Sequence, residues 1–329
     1  MKRYKLIDTV TGWVVFAIAA VVYLLTIEPT TSFWDCPEFI ACAYKLEVGH
    51  PPGAPFFMLV GNLFTQFTSD PAQVAKMVNA MSALMSAFTI LFLFWTITHL
   101  TRKLVLSSNK TELTLGQTII VMGCGIVGAL VYTFSDTFWF SAVEAEVYAF
   151  SSMLTALVFW LILKWEDNAE KPHSEKWIIL IAYIMGLSIG VHLLNLLCIP
   201  AIVLVYYYKK SENVSWKGGL GALLISFALI LILMYGIIPG FTKVGGWFEL
   251  FFVNTAGLPY NTGLFIYLAL LVVCIVWTLL ESMRDNPHSK RVKTTFILSL
   301  AMSGILFMGD NVLIWLILIG AAFYLVFRY

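Results

Sequence analysis

The chain has 329 residues, of which 60% are hydrophobic and 12% charged, with a formal net charge of +1. Water-soluble domains carry about 25% charged residues, so this composition excludes an ordinary soluble fold. A near-neutral chain also gives no support for a nucleic-acid partner. The remaining class is an all-α, polytopic transmembrane helix bundle, read as a single domain over 1–329.

Met1-Lys-Arg-Tyr-Lys followed by an apolar run over 10–27 reads as an uncleaved signal anchor, because Pro29-Thr-Thr-Ser is a poor cleavage context. Further apolar runs are expected to span at 77–100, 116–134, 147–165, 177–189, 194–208, 218–238, 263–281, 294–308 and 311–327, which makes about ten spans. The pair 177–189 and 194–208 is split because Lys171 and Lys176 precede it and Lys209 and Lys210 follow it. Segment 51–68 is apolar but opens on Pro-Pro-Gly. If it does not cross, only Lys45, Lys76 and Lys243 of the 20 Lys and Arg residues fall outside. The positive-inside rule therefore predicts a cytoplasmic N-terminus, with outer acidic loop and interfacial helices over 28–76. Segment 239–262 reads as an outer loop.

The outer face is acidic, and its acids gather in a few strings. EPTTSFWDCPEFIACAYKLEVGHPPGAP holds Asp35, Glu38, Glu47 and His50. A carboxylate near apolar groups at a membrane surface has a raised pKa and can act as a general base. The competing reading is structural: Asp35 as N-cap, Pro37 in the first turn and Glu38 at the third position of a helix. His50-Pro-Pro-Gly reads as a rigid turn or as a donor to a lipid phosphate. Ser141-Ala-Val-Glu144-Ala-Glu146 opens the fourth span; helical spacing makes the two acids diverge, with one facing inward. His192 and Asn195 sit at the break between two short spans, as interior-facing polar groups or as an interhelical hydrogen-bonded pair. Outer cations are scarce, so a phosphate bound there has His50, His192, Lys45, Lys76, Lys243, a helix N-terminus or a metal as partners. The five cysteines form no CxxC pair, and Cys36 and Cys42 lie on different faces of a helix, which argues against a disulfide.

The strings FWDCPEFIACAYKLEVGHPPGAP, SAVEAEVYAFSSMLTALVFW and GLSIGVHLLNLLCIPA resemble the GT-C superfamily of membrane glycosyltransferases. They are most similar to a bacterial branch related to the eukaryotic O-mannosyltransferase of plexin-type domains. The resemblance covers about residues 10–270. It implies a polyprenyl-phosphate sugar donor, a hydroxyl acceptor such as Ser or Thr on an exported protein or glycan, a bilayer environment, and a site facing the periplasm or exterior of the cytoplasmic membrane. It places the catalytic carboxylate at Asp35 with Glu38 beside it. His50 stands where related aminoarabinose transferases carry a phosphate-contacting lysine. Glu144, Glu146, His192, Asn195 and Lys243 are the expected donor-binding residues. A divalent cation held by carboxylates is a further option, and no other cofactor is implied. Many members continue into a large C-terminal soluble region, so the end at Tyr329 reads as a short form, a fragment or an incomplete enzyme. Two other functions stay open: a flippase for a lipid-linked saccharide, and a non-catalytic membrane subunit.

Overall fold

The structure, a computed structural model, describes residues 2–51, 53–106, 112–283 and 289–328. Pro52 of the Pro-Pro turn and Lys110 and Arg284 of the expected basic loops lie outside the described residues. Among the described residues the protein is all helical, without a strand. Its helices are α1 (Lys2–Leu25), α2 (Cys36–Lys45), α3 (Pro55–Thr65), α4 (Val74–Val105), α5 (Leu115–Thr133), α6 (Asp136–Ala142), α7 (Val147–Asn168), α8 (Glu175–Ile189), α9 (Ile199–Lys210), α10 (Trp216–Leu231), α11 (Ile238–Leu250), α12 (Thr262–Ser282), α13 (Lys290–Met302) and α14 (Val312–Arg328).

Seven helical stretches are long and apolar enough to cross a bilayer. Expected spans at 177–189, 294–308 and 311–327 appear as helices of 15, 13 and 17 residues. The loop expected over 239–262 is instead helical as far as Thr255, in one apolar path that begins at Trp216. Pro239 stands in the first turn of α11, directly after the π-helical turn Ile232–Ile237. That turn absorbs the hydrogen bond a proline cannot make, so the helix continues past the residue taken to end it.

The chain forms two compact units, one ending at Gly219 and one beginning at Leu220. In the first, α4 is the central post, with α1, α5 and α7 packed on it. Val15, Ala19 and Tyr23 of α1 meet Ala87, Ile90 and Phe94 of α4 and Val121 of α5 in one apolar cluster. Tyr23, wholly buried, donates its hydroxyl to the Thr133 carbonyl at 2.9 Å, which satisfies the polar end of an otherwise apolar residue. On α7, Val158, Ile162 and Trp165 pack with Ile181 of α8 and Cys198. The opposite faces carry exposed Ile119, Val127 and Val131, as expected of a surface that meets lipid tails. A multi-pass membrane protein accounts for both the buried clusters and these exposed faces.

The acidic segment between α1 and α4 is folded onto this bundle. Phe39 and Ile40 of α2 and Phe57 and Met58 of α3 join Val78 and Met81 of α4 and Phe150 and Leu154 of α7. Burying a phenylalanine such as Phe57 contributes about 2–3 kcal/mol. The Asn79 amide donates to the carbonyls of Glu28 and Thr30, at 2.7 and 2.9 Å, and so ties the start of the segment to α4.

In the second unit, Gly240 and Gly304 bring α11 and the turn after α13 into backbone contact, where any Cβ would collide with the partner's main chain; Gly304 also has φ +82°. Tyr267 is fully buried and donates to the Met302 carbonyl at 2.7 Å.

Candidate active site

The sequence offers Asp35 as a helix N-cap, and it does stand immediately before α2, but its side chain makes no capping hydrogen bond. Glu38, at the third position, does not reach back to close a capping box either. It turns to His50, accepting from the His50 backbone N–H at 2.6 Å and facing the ring Nδ1 at 3.0 Å. Asp35 lies on the other side of the same ring, Oδ2 to Nε2 at 3.8 Å. The imidazole is thus held between two carboxylates, one bonded and one close. Trp34, immediately before Asp35, has φ 61° and is 91% exposed. This strained turn for a bulky residue sets where the Asp35 side chain leaves the backbone.

The turn that carries His50 is fixed from below. Gly53 N–H bonds to the His50 carbonyl at 2.8 Å, and the Gly190 carbonyl accepts from Phe56 N–H at 2.7 Å. Gly190 ends α8, and a Cβ there would press on Phe56 Cβ at 3.0 Å. The break after α8 therefore docks directly against the start of α3. It also presents His192, whose Nδ1 accepts from Leu194 N–H at 3.1 Å. That bond leaves Nε2 as the protonated nitrogen of the neutral ring.

Glu144 and Glu146 do not lie on a helix as expected. They occupy the bend between α6 and α7, and both are buried rather than one facing inward. The bend lets two acids two residues apart point into the protein. Asp35, His50, Glu146 and His192 line one cavity of about 270 Å³, together with Phe39 and Tyr148. A second, apolar cavity of about 730 Å³ opens between α4, α5 and α7; it is lined by Leu93, Val131, Phe159 and, at one edge, Leu194. Leu193 and Leu194, neighbours in the chain, thus belong to the polar and the apolar cavity respectively.

The electrostatics of the polar cavity are uneven. The two hydrogen bonds from His50 hold the Glu38 carboxyl below its usual range. The Glu38 bond in turn raises the His50 imidazole, against partial desolvation and with added attraction from Asp35 and Glu146. Burial, then the charges of Glu144 and Asp35, push Glu146 up to about 7. Burial also raises Glu144, with a hydrogen bond from Ser32 opposing it, and burial lowers His192. One imidazole is biased toward its cation and the other toward neutrality, around a carboxyl that titrates near neutral pH.

Asn195 is buried with both amide atoms unpartnered, and no His192–Asn195 bond forms. Lys243 belongs to the second unit, on α11. There it donates to the Gly309 carbonyl and to Asp310 Oδ1, the latter at 2.6 Å, and lies 5.3 Å from the Trp315 ring. Asp35, Glu38 and His50 offer ligand atoms all within 4.8 Å of one another, an O,O,N set that suits a divalent cation. Cys36 and Cys42 are free and buried. Tyr148 and Phe39 were not singled out by the sequence; their signal was only proximity to Glu146 and Glu38.

Two curated relatives each match about three fifths of the chain. One, from Mus musculus, is named protein O-mannosyl-transferase TMEM260 and is 30% identical over 202 residues, 60% of this chain and 26% of that protein. The other, of the same name, from Dictyostelium discoideum, is 24% identical over 200 residues, 59% of this chain and 22% of that protein. The match thus spans about a quarter of the length of either relative. No solved structure matches the chain. Residues 35–215, more than half of the chain and including every residue of the polar cavity, match the family described as the protein O-mannosyl-transferase TMEM260 N-terminal domain, and the chain belongs to that family.

Proposed function

We propose that the protein is the membrane part of a GT-C-type glycosyltransferase, which transfers a sugar from polyprenyl phosphate to a hydroxyl acceptor on the outer face of the cytoplasmic membrane. The observation that carries this reading is the pairing of cavities. A polar chamber lined by Asp35, His50, Glu146 and His192 adjoins, through Leu193 and Leu194, an apolar cavity more than twice its size. A phosphate-linked sugar with a long isoprenoid tail has that same polarity. The names of the relatives favour mannose as the sugar and a protein Ser or Thr as the acceptor.

In this mechanism Asp35, half-exposed at the chamber mouth, takes the proton of the acceptor hydroxyl. The oxygen attacks the anomeric carbon, the bond from that carbon to the phosphate oxygen breaks, and polyprenyl phosphate leaves with the electron pair. Attack opposite the leaving group inverts the anomeric centre. His50, biased toward its cation by Glu38, and His192, donating from Nε2, face the charge that grows on the leaving phosphate. Glu146 holds sugar hydroxyls from the buried side; its own burial, and then Glu144, buried beside it but outside the cavity lining, keep the Glu146 carboxyl pKa raised. Glu38 is a positioning residue that orients His50. A second reading has Asp35, Glu38 and His50 holding a divalent cation against the phosphate, and their mutual distances favour it. Chelation separates the two: loss of transfer restored by Mn²⁺ would make the trio ligands, and unchanged transfer would leave Asp35 as base.

The test is donor turnover. Purified protein in lipid nanodiscs, given a panel of polyprenyl-phosphate sugars and exported acceptor proteins, is expected to release polyprenyl phosphate from the mannosyl donor. Translocation of a labelled lipid-linked sugar in vesicles without its turnover would replace the transferase by a flippase. Turnover that appears only with a partner chain would make this protein a subunit.

A further inference from the structure

The opposite end of the first unit, where α1 starts and α4 and α7 end, holds a second polar cavity, of about 400 Å³. We propose that it is a binding site for the headgroup of an anionic membrane lipid, specifically a phosphate diester that carries a free hydroxyl. This site is independent of the transferase chamber and shares no residue with it.

Lys5, Arg102, Lys164 and Lys171 line the cavity, against Asp8 and Asp167, so cations are in excess. Neighbouring Lys103 is paired with Glu166 at 2.5 Å and does not line it. Arg102 and Lys164 rest over aromatic rings, Arg102 Cζ 5.4 Å from the Tyr4 ring and Lys164 Nζ 4.9 Å from the Trp160 ring. Those contacts fix the charges in place but leave their N–H donors uncommitted. Trp95 and Trp160 stack at 5.4 Å and form an aromatic wall, the residue type that sits at headgroup depth.

Two buried atoms in this lining have no hydrogen-bond partner: Asp8 Oδ1 and His99 Nε2. Buried polar atoms are nearly always satisfied, so these two mark where a bound ligand can bond. A carboxylate oxygen needs a donor, which the ionised phosphate of a diester lacks and a headgroup hydroxyl supplies. Phosphate oxygens take the cations, and the hydroxyl takes Asp8. Basic pockets between spanning helices on one side of a membrane are the usual setting for such headgroups.

The test uses the full chain in nanodiscs of phosphatidylcholine, containing in turn phosphatidylglycerol, which has free hydroxyls, or phosphatidylmethanol, a diester of the same charge which has none. Native mass spectrometry counts the lipids retained. Wild type is expected to keep phosphatidylglycerol about tenfold over phosphatidylcholine. Arg102→Gln with Lys164→Gln should bring that preference close to unity. Asp8→Asn should narrow the gap between phosphatidylglycerol and phosphatidylmethanol. Exposed Lys5→Gln, which disturbs no packing, should show an intermediate loss and so covers the case in which the double variant misfolds. Equal retention of all lipids by wild type overturns the proposal. Displacement of the bound lipid by millimolar glycerol phosphate also overturns it, in favour of a soluble ligand.

Discussion

The two units of this protein use polar residues in opposite ways. In the first, the polar cavity crowds ionisable groups together: His50 lies between Asp35 and Glu38, and Glu146 is buried beside the like-charged Glu144. In the second, they satisfy each other or the backbone. Lys243 is paired with Asp310, and the Glu249 carboxylate accepts the N–H groups of Asn261 and Leu264, at 2.5 and 2.9 Å, at the start of α12. The second arrangement is what helix termini and surface pairs need for folding. Burying Glu146 beside Glu144 costs stability when both are ionised, and perturbed acids of this kind cluster at functional sites. The family match, 35–215, falls within the first unit, in line with this division.

Substitutions sharpen the contrast, because those in the first unit should change chemistry and those in the second only stability. His50→Gln is expected to lower donor turnover by about 10²-fold, since in the proposed transfer it removes the imidazole that faces the leaving phosphate. Glu38→Gln should cost about tenfold and also alter the pH profile. Glu38 raises the His50 pKa, so turnover that needs the imidazolium falls as pH rises through that value. Without Glu38 the alkaline fall should move to lower pH, which a purely structural role for Glu38 would not produce.

Glu146→Gln reports on stability through pH. The folded carboxyl titrates at about 7 against an ordinary 4.5. The fold therefore favours the protonated form; this stabilisation is present below about pH 4.5 and is lost as pH rises through about 7. Wild type should lose roughly 2 kcal/mol across that window, and the Gln variant should not; unfolding midpoints at pH 5 and pH 8 compare them. In the second unit, Gly240→Ala should destabilise by about 1–3 kcal/mol by forcing α11 away from Gly304, with turnover per folded molecule unchanged. Lys243→Gln is expected to change turnover by less than about twofold, because its ammonium is already engaged. A larger loss would return Lys243 to the phosphate site.

The all-helical membrane fold was legible from composition alone, because hydropathy and span length are one-dimensional properties. The break between 189 and 193 was legible from flanking lysines. The helix across 239–255 was not, since Pro239 and the nearby glycines normally end helices and a π-helical turn leaves no mark in composition. At the site, Asp35, Glu38 and His50 were legible as a string because they are close in sequence. Their geometry was not: the spacing of Asp35 and Glu38 suggests a capping box, and only the return of 46–50 to α2 turns Glu38 toward His50. The burial of both Glu144 and Glu146 was hidden for a related reason, because a bend replaced the helix from which their divergence was reasoned.

The central claim is that the Asp35 carboxylate accepts the acceptor's proton in a sugar transfer. The most direct test incubates wild type and Asp35→Asn, both in nanodiscs and matched for unfolding midpoint, with mannosyl polyprenyl phosphate and acceptor protein, and follows release of polyprenyl phosphate. The account predicts release by wild type and a loss of about 10²–10⁴-fold in the variant. Release by Asp35→Asn at the wild-type rate would contradict it and remove Asp35 from the mechanism.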